Sequence, residues 1–373
     1  MRAEDFRKYK FHGSALERGR AHGEALRELI AEHYARWFDN IAKDLGVDPQ
    51  SYLRTFLNET DFMPAIEKWT PDLLEEVRGI AEGANQPFEI VLARQYSDEE
   101  PWYRRNVQLE NPSHAGCTSV GYWTDTDCVV AQNMDLPHWC DGLQILLHLT
   151  DPETGLQVFQ YTMAGKINLA GMNSAGLGVC CNTLSQLNYS KTGLPEDFVV
   201  RGFLQQTRLE DGERFLREIE HASGQNYTIG QAGHRAINLE CSANAVIEFV
   251  PETPPQSVYH SNHPLTNDDQ SLFLERSRAL DAAGKKRLFH GTSLERFEAL
   301  EGYLSQQTAG LTIDNVKTIL SSHDGPICRH GDTDTKNDNF TLGCLILESG
   351  EVPKLHIAPG PPCETQFLTF EFD

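Results

Sequence analysis

Apolar positions in the first 110 residues recur at helical spacing. Over residues 16–41 they form a stripe three and four residues apart, separated by polar positions, which is typical of a long amphipathic helix. A second helical pattern begins at Pro71, a residue suited to a first helical turn, and carries Glu75 and Glu76 near its positively polarised end. The first 110 residues are therefore predicted to be mainly helical.

The pattern changes at Cys117, where short apolar runs bounded by turn residues replace the helical spacing. Paired runs predict three hairpins, at 118–123 with 128–134, 143–149 with 156–163, and 167–172 with 177–181. Further helices are predicted at 196–206, at 212–221 and from Leu272, Leu294 and Ile313, and further strands at 227–229, 236–240, 246–250, 340–347, 355–358 and 367–372. Runs of strands and runs of helices, without regular alternation, indicate an α+β fold with helices covering the sheets.

The composition is that of an ordered globular protein, and the charge limits its partners. The chain has 373 residues, 39% apolar and 23% charged, enough for one large core with an attached helical part or for two modest domains. With 32 Lys and Arg against 54 Asp and Glu, the formal charge is −22. Nucleic acids and anionic membranes are therefore not expected as partners, and a polyanionic cosubstrate such as a coenzyme A thioester is weakly disfavoured.

Neither a targeting segment nor a metal motif is evident. The N-terminal residues lack the apolar core of a signal peptide and no apolar run could span a bilayer, so a cytoplasmic protein is expected. The nine cysteines form no CxxC pair, and most are predicted to be small core residues. His260 and His263 lie three apart, and His323 and His330 seven apart. Neither spacing matches a zinc motif, so no metal and no cofactor are expected.

Cys117 is the most informative residue. It directly follows Gly116, at the junction between the helix-rich and strand-rich parts. Glycine crowds its own carbonyl least, as an attack on that carbonyl by the next residue's thiol requires. Cleavage there gives Cys117 a free α-amine with a reference pKa of roughly 7.7 to 8.0, which can accept the thiol proton. For this short motif alone, the alternative is an ordinary buried cysteine.

Several short motifs follow one another along nearly the whole chain. They are His12-Gly13-Ser14, Gly19-Arg20-Ala21-His22-Gly23, Gly116-Cys117-Thr118-Ser119, Gln132-Asn133-Met134-Asp135, Ala170-Gly171-Met172-Asn173-Ser174-Ala175-Gly176-Leu177-Gly178, His260-Ser261-Asn262-His263-Pro264, Ser322-His323-Asp324-Gly325 leading to Arg329, and Thr341-Leu342-Gly343. Their order and spacing resemble the acyl-coenzyme A:isopenicillin N acyltransferase-like family of autoproteolytic N-terminal-nucleophile (Ntn) acyltransferases and hydrolases. The resemblance implies a four-layer αββα Ntn hydrolase fold. Residues 1–116 would be a mainly helical propiece that becomes the small chain, and residues 117–373 the catalytic core.

The resemblance also implies a set of catalytic residues. Cys117 is the nucleophile, and Asp135 orients it. Asn262 is the oxyanion-hole donor, and Arg329 lies close to the cysteine. Physically, the Asp135 carboxylate can hold the α-ammonium but raises its pKa, whereas the Arg329 guanidinium counters that charge. The alternatives are a solvated turn aspartate, a turn asparagine and a surface arginine.

Three further residues are predicted to bind the substrate or to orient the site. Asn133 lies two residues before Asp135 on the same predicted strand, so both side chains share one face. Asn182 follows the pair Cys180-Cys181, and His114 lies just before the predicted cleavage site. Asn133 is predicted to line the substrate pocket, and Asn182 to orient the site in the same way.

The sequence thus predicts a self-processing amidohydrolase that cleaves linear amides of N-acylated amines or amino acids through a thioester on Cys117. One alternative is an acyl-coenzyme A-dependent N-acyltransferase of the penicillin-forming type, and another is an uncleaved, non-catalytic binding protein on the same scaffold. A third is a conventional cysteine hydrolase in which His260 or His263 serves Cys117. The expected partners are a small-molecule amide and the protein's own two cleaved chains. The acyl group, the amine and homo-oligomerisation stay open.

Overall fold

The computed structural model describes residues 1–108, 116–252, 256–282, 284, 291–307, 310–331 and 339–373, with the backbone alone for 105–108. His114 lies outside the described residues. The helices within them are α1 (Ala15–Ala25), α2 (Arg27–Leu45), α3 (Pro49–Glu59), α4 (Met63–Trp69), α5 (Pro71–Ala84), α6 (Phe88–Arg94), α7 (Glu99–Gln108), α8 (Glu196–Leu204), α9 (Leu209–Glu218), α10 (Ser271–Ala282), α11 (Ser293–Ser305) and α12 (Ile313–Leu320). The strands are β1 (Lys8–His12), β2 (Gly116–Trp123), β3 (Cys128–Pro137), β4 (Gln144–Thr150), β5 (Gln157–Met163), β6 (Ala170–Asn173), β7 (Gly178–Thr183), β8 (Gln225–Gly230), β9 (Ile237–Cys241), β10 (Val246–Phe249), β11 (Ser257–His260), β12 (Asn339–Ser349), β13 (Lys354–Ala358) and β14 (Leu368–Glu371).

The segment before β2 is mainly helical, as predicted, but the single helix predicted for residues 16–41 is wrong. The chain breaks at Leu26, whose backbone leaves the helical region with φ −121° and ψ 19°. A Cβ atom at Gly19 would lie 2.0 Å from the backbone of α5, and one at Gly79 would lie 2.2 Å from the backbone of α1. These two helices therefore pack backbone to backbone. The break allows this contact while α2 turns its apolar stripe towards the core.

Two sheets occupy the centre of the molecule. The larger has the order β1-β4-β5-β6-β7-β8-β9-β10, and the smaller has the order β11-β2-β3-β12-β13-β14. The three predicted hairpins are confirmed as β2 with β3, β4 with β5, and β6 with β7. Because β1 pairs in parallel with β4, the N-terminal segment contributes an edge strand to the larger sheet. The four-residue strand β11 is absent from the sequence prediction.

The three largest apolar cores among the described residues lie between four layers. One core joins α2–α6, α8 and α9 to the outer face of the larger sheet. The second lies between the two sheets, and the third joins the outer face of the smaller sheet to α11 and α12. The predicted α+β, four-layer αββα architecture is therefore confirmed.

The alternation of side chains along β2 positions the thiol. Cys117 belongs to the core between the sheets, and Ser119 bonds side chains of the larger sheet on that same face. Thr118 and Val120 point the other way, towards α11 and α12. The site therefore has an inter-sheet side, which holds the thiol, and an outer side.

Among the described residues, none of the helices combines the length and the hydropathy that a membrane crossing requires.

Candidate active site

The backbone of Cys117 is held by two side chains from distant parts of the chain. Its N–H donates to Asn262 Oδ1 at 2.7 Å, and its carbonyl oxygen accepts from Arg296 Nη1 at 2.5 Å. Arg296 Nη2 also donates to Asn262 Oδ1 at 2.8 Å. One buried guanidinium thus fixes both the carbonyl of Cys117 and the asparagine that accepts its N–H. Such charge-assisted hydrogen bonds are the stronger kind.

The Cys117 thiol is covered and protonated in the full-length chain. The residue is 7% exposed. Burial, together with the nearby Asp135 carboxylate, raises the pKa of the thiol to about 12. Because the thiolate is the nucleophilic form, a thiol of this kind reacts only if a base removes its proton.

Asp135 lies opposite Gly116 in the pairing of β2 with β3. Its Oδ1 accepts from Thr341 Oγ1 at 2.8 Å, and its Oδ2 lies 3.6 Å from Arg329 Nη1. Burial raises the pKa of Asp135 to about 6, although Arg329 and Arg296 oppose that shift. The predicted neighbourhood of Cys117, Asp135 and Arg329 is therefore present in the structure.

Three charged side chains, from Asp135, Arg296 and Arg329, lie close to Gly116. A Cβ atom at this position would lie 2.8 Å from Arg329 Nη1, 3.2 Å from Arg296 Nη2 and 3.3 Å from Asp135 Oδ2. A larger residue would push these groups away from the peptide bond to Cys117. Glycine is therefore needed here because these groups approach its backbone closely, and also because it crowds its own carbonyl least.

Asn133 is bound to the loop that carries Arg329. Its Nδ2 donates to the carbonyl oxygens of Leu320 at 2.7 Å and Ile327 at 2.9 Å. The loop then meets β12, where the N–H of Arg329 donates to Thr341 Oγ1 at 2.9 Å. The structure thus places Asn133 on the outer side of the site, where it holds the Arg329 loop.

Asn182 lies on the inter-sheet side. Its Oδ1 accepts from Ser119 Oγ at 2.8 Å and from Asn226 Nδ2 at 3.2 Å. Its own Nδ2 is buried and has no hydrogen-bond partner within the described ranges. Because Ser119 and Cys117 point to the same side of β2, Asn182 lies on the thiol side of the site and carries a free N–H donor.

Asn262 is held from behind by the first turn of α11. Its backbone N–H donates to Ser293 Oγ at 2.7 Å, and its side-chain Nδ2 donates to the carbonyl oxygen of Thr183 at 3.0 Å. The amide oxygen of Asn262, rather than its N–H group, thus faces Cys117. An oxyanion role for Asn262 stays a prediction, since it requires the N–H side to reach the reacting carbonyl.

The histidines on either side of Asn262 have ring nitrogens within hydrogen-bonding distance of neighbouring groups. His260 uses both ring nitrogens, Nδ1 at 2.9 Å from the carbonyl oxygen of Ser261 and Nε2 at 2.8 Å from Glu240 Oε1. His263 Nδ1 lies 2.8 Å from Ser293 Oγ. With both nitrogens occupied, His260 is not oriented to act as a base for Cys117 in this structure.

Arg296 is the site residue that sequence reasoning missed. It is 2% exposed, and burial lowers the pKa of its guanidinium to about 10. Arg296 shares one face of α11 with Leu300 and Leu304, both fully buried. A charged residue within an apolar helical stripe was the available signal, since such a residue is buried only when it is paired.

A comparison with protein families identifies the chain. The model of the family "Acyl-coenzyme A:6-aminopenicillanic acid acyl-transferase" matches residues 123–349, more than half of the chain. The match begins after Cys117 and includes Asp135, Asn262 and Arg329. A similar relative, the 40 kDa form of acyl-coenzyme A:6-aminopenicillanic-acid-acyltransferase from Emericella nidulans, is 29% identical over 262 residues, covering 69% of this chain and 70% of the relative.

Two solved structures are also similar to this chain. A variant of the conjugated bile acid hydrolase from Clostridium perfringens is 12% identical, with a TM-score of 0.43, over 69% of this chain and 97% of that one. The penicillin V acylase from Agrobacterium tumefaciens is 12% identical, with a TM-score of 0.41, over 69% of this chain and 86% of that one. The family predicted from the short motifs is confirmed by the family model: the chain belongs to the acyl-coenzyme A:6-aminopenicillanic acid acyl-transferase family.

Proposed function

We propose that this protein is a self-processing amidohydrolase whose nucleophile is Cys117 after cleavage of the Gly116–Cys117 bond. The observation that carries the proposal is the closure of one carboxylate and two guanidinium groups, from Asp135, Arg296 and Arg329, around that peptide bond in a buried position. Burying several charges is costly unless they are paired or functional. Their meeting at one glycine–cysteine bond favours chemistry at that bond.

In the proposed maturation step, the Cys117 thiol attacks the carbonyl carbon of Gly116. The C–N bond breaks as a thioester forms, and the nitrogen of Cys117 takes up the thiol proton to become a free amine. Water then hydrolyses the thioester, leaving a carboxylate on Gly116 and restoring the thiol. The products are residues 1–116 and 117–373.

In the proposed catalytic cycle, the new α-amine is the general base. The nitrogen of Cys117 already lies 2.7 Å from Asn262 Oδ1, so this oxygen can orient the amine. The neutral amine takes the thiol proton, the thiolate attacks the amide carbonyl of the substrate, and the amine product leaves as an acyl thioester forms. Water releases the acid. On the thiol side, the unpartnered Nδ2 of Asn182 is available to stabilise the oxyanion.

The two proposed chains share one core, which supports their staying together after cleavage. Apolar residues of α2–α6 pack with those of β4, β7, β8 and α8 in a single cluster. Buried Glu76 of the N-terminal part also pairs with Arg201 of the other part, at 2.8 Å. Separation would expose this surface to water at a large free-energy cost.

A second candidate function is acyl transfer from a coenzyme A thioester to an amine. It is favoured by the name of the relative that is 29% identical to this chain. The formal charge of −22 weakly opposes it, because that field repels a polyanionic donor. Both functions use the same thioester and differ in the second acceptor.

The two functions are distinguished by supplying purified protein with a panel of N-acyl amines and N-acyl amino acids, with and without acyl-coenzyme A and a free amine. The proposed hydrolase is expected to release free acid and amine without any acyl-coenzyme A. Activity that requires both acyl-coenzyme A and an amine acceptor would instead identify an acyltransferase. The absence of any turnover by fully cleaved protein would contradict both functions.

Replacing Arg329 by Met is expected to move the acidic limb of the activity–pH profile to higher pH by about one unit or more. The loss of a nearby unit charge changes a pKa by about that amount. Loss of the cation raises the pKa of the α-amine and raises that of Asp135 further above about 6. Both groups would then hold their protons to higher pH, and the base needs to be neutral. The limb is measured in protein that is already cleaved.

The control for this variant is Arg217→Met, which removes a partly exposed arginine paired with Glu213 on α9. This control is expected to leave the limb in place. An unmoved limb in Arg329→Met protein with normal turnover would separate Arg329 from the protonation of the base.

A further inference from the structure

Two histidines and two cysteines converge on one point at the surface beside the active site. His323, Cys328 and His330 lie in the loop between α12 and β12, and Cys363 lies in the loop between β13 and β14. One ligand atom from each side chain lies within 4.8 Å of all the others. The cluster therefore brings together residues from two loops that adjoin strands of the smaller sheet. Neither loop by itself carries a zinc motif.

Three of the six separations between the ligand atoms are close to those of a tetrahedral zinc site, and all six are within 4.8 Å. Zinc binds thiolate sulfur at about 2.3 Å and imidazole nitrogen at about 2.0–2.1 Å, so its ligand atoms lie about 3.3 to 3.8 Å apart. Here Cys328 Sγ lies 3.5 Å from Cys363 Sγ, and His323 Nε2 lies 3.2 Å from His330 Nε2. His330 Nε2 is also 3.2 Å from Cys363 Sγ. Two soft sulfur and two imidazole ligands are the set that zinc prefers.

A carboxylate lies near the ring nitrogen of His330 that the cluster does not use. His330 Nδ1, the ring nitrogen that faces away from the cluster, lies 3.7 Å from Glu364 Oε1. The backbone carbonyl of His330 is 3.1 Å from His138 Nε2. A carboxylate is a common partner of the outer nitrogen of a zinc-bound imidazole, and Glu364 lies within ion-pair range of that nitrogen but beyond hydrogen-bonding distance.

We propose that His323, Cys328, His330 and Cys363 bind one Zn²⁺ ion as a closed structural site. Binding releases the two thiol protons to solvent, and the two thiolates then balance the charge of the ion. No metal is expected from the sequence, because the two histidines stand seven apart and the fourth ligand is 33 residues beyond His330. The proposal does not depend on the proposed amidohydrolase activity.

The place of this site in the loop gives it a consequence for the active site. Arg329 stands between two of the four ligands, Cys328 and His330, and its guanidinium faces Asp135. Because its ligands flank Arg329 in the sequence, a bound ion would hold the Arg329 backbone against the loop that contains Cys363. The zinc site would therefore position a charged group of the catalytic cluster without touching the substrate.

The test is the metal content of full-chain protein, purified without an affinity tag and with reductant, then measured by plasma mass spectrometry. About one zinc per chain is expected in the unsubstituted protein, and less than about a tenth of that in Cys363→Ser or His323→Gln, because a zinc site loses most of its affinity with one ligand. The control is His234→Gln, whose imidazole is 39% exposed against 44% for His330, and which is expected to keep its zinc.

Cobalt provides a readout that is independent of retained metal. Zinc-free protein titrated with Co²⁺ is expected to give the visible ligand-field bands of a tetrahedral ion and a thiolate charge-transfer band, both lost in Cys363→Ser. Zinc content near zero in freshly purified protein, or equal in all variants, would overturn the proposal. A Cys328–Cys363 disulfide, found as a loss of two hydrogens in the intact mass of protein prepared without reductant and lacking zinc, would also overturn it.

Discussion

The variant Cys117→Ala is expected to remain a single chain of 373 residues without amidase activity. The unsubstituted protein is expected as two chains of 116 and 373 − 116 = 257 residues. Alanine removes the thiol of the residue that follows the Gly116 carbonyl, so neither the cleavage nor the later thioester can form. Denaturing electrophoresis and intact-mass analysis measure the chains, and the larger one is expected to begin with Cys117.

Cys128→Ala is the matched control. Cys128 is a free, buried cysteine in the same hairpin, and burial raises the pKa of its thiol to about 12, as for Cys117. It has none of the charged groups that surround Gly116, so Cys128→Ala is expected to cleave and to turn over substrate. Active protein that stays at full length would contradict the N-terminal nucleophile.

Much of the fold could be predicted because it depends on local patterns. The change from helical spacing to short alternating runs at Cys117 marks the start of β2, and turn residues locate the three hairpins. The first hairpin also brings Asp135 back opposite Gly116. The break at Leu26 could not be predicted, since it depends on how α1 packs against α5, which is a tertiary effect.

Only part of the site could be predicted, because its remaining residues come together across the chain. Arg296 reaches Cys117 from 179 positions away along the sequence, and periodicity alone gives no sign of which strand a buried helix residue contacts. Asn133 was predicted as a pocket residue on the face of Asp135, and in the structure its amide binds the loop that carries Arg329. The residues of the proposed zinc site could not be predicted for the same reason, since Cys363 comes from a different loop.

Substitution of Asn262 is the other change that is expected to have a large effect on turnover. Replacing Asn262 by Ala is expected to lower turnover by roughly 10²- to 10³-fold, the usual loss for one oxyanion donor or one misplaced catalytic group. Asn173→Ala is the matched control, because Asn173 is also buried and its Nδ2 donates to the backbone carbonyls of Leu204 and Gln206 rather than to a residue of the site. The control is expected to retain turnover in folded protein.

Asn262→Asp distinguishes the two ways in which Asn262 can act. Aspartate keeps an oxygen for the nitrogen of Cys117 and for Arg296, the contacts seen in the structure, but it cannot donate from Nδ2. If Asn262 orients the amine, this variant is expected to recover most of the plateau turnover above the acidic limb, which itself moves to higher pH because a carboxylate raises the pKa of the amine. If Asn262 is the oxyanion donor, the plateau is expected to be as low as in Asn262→Ala. Near-normal turnover with only a raised KM in both variants would remove Asn262 from the catalytic group, since such a change is a loss of uniform binding.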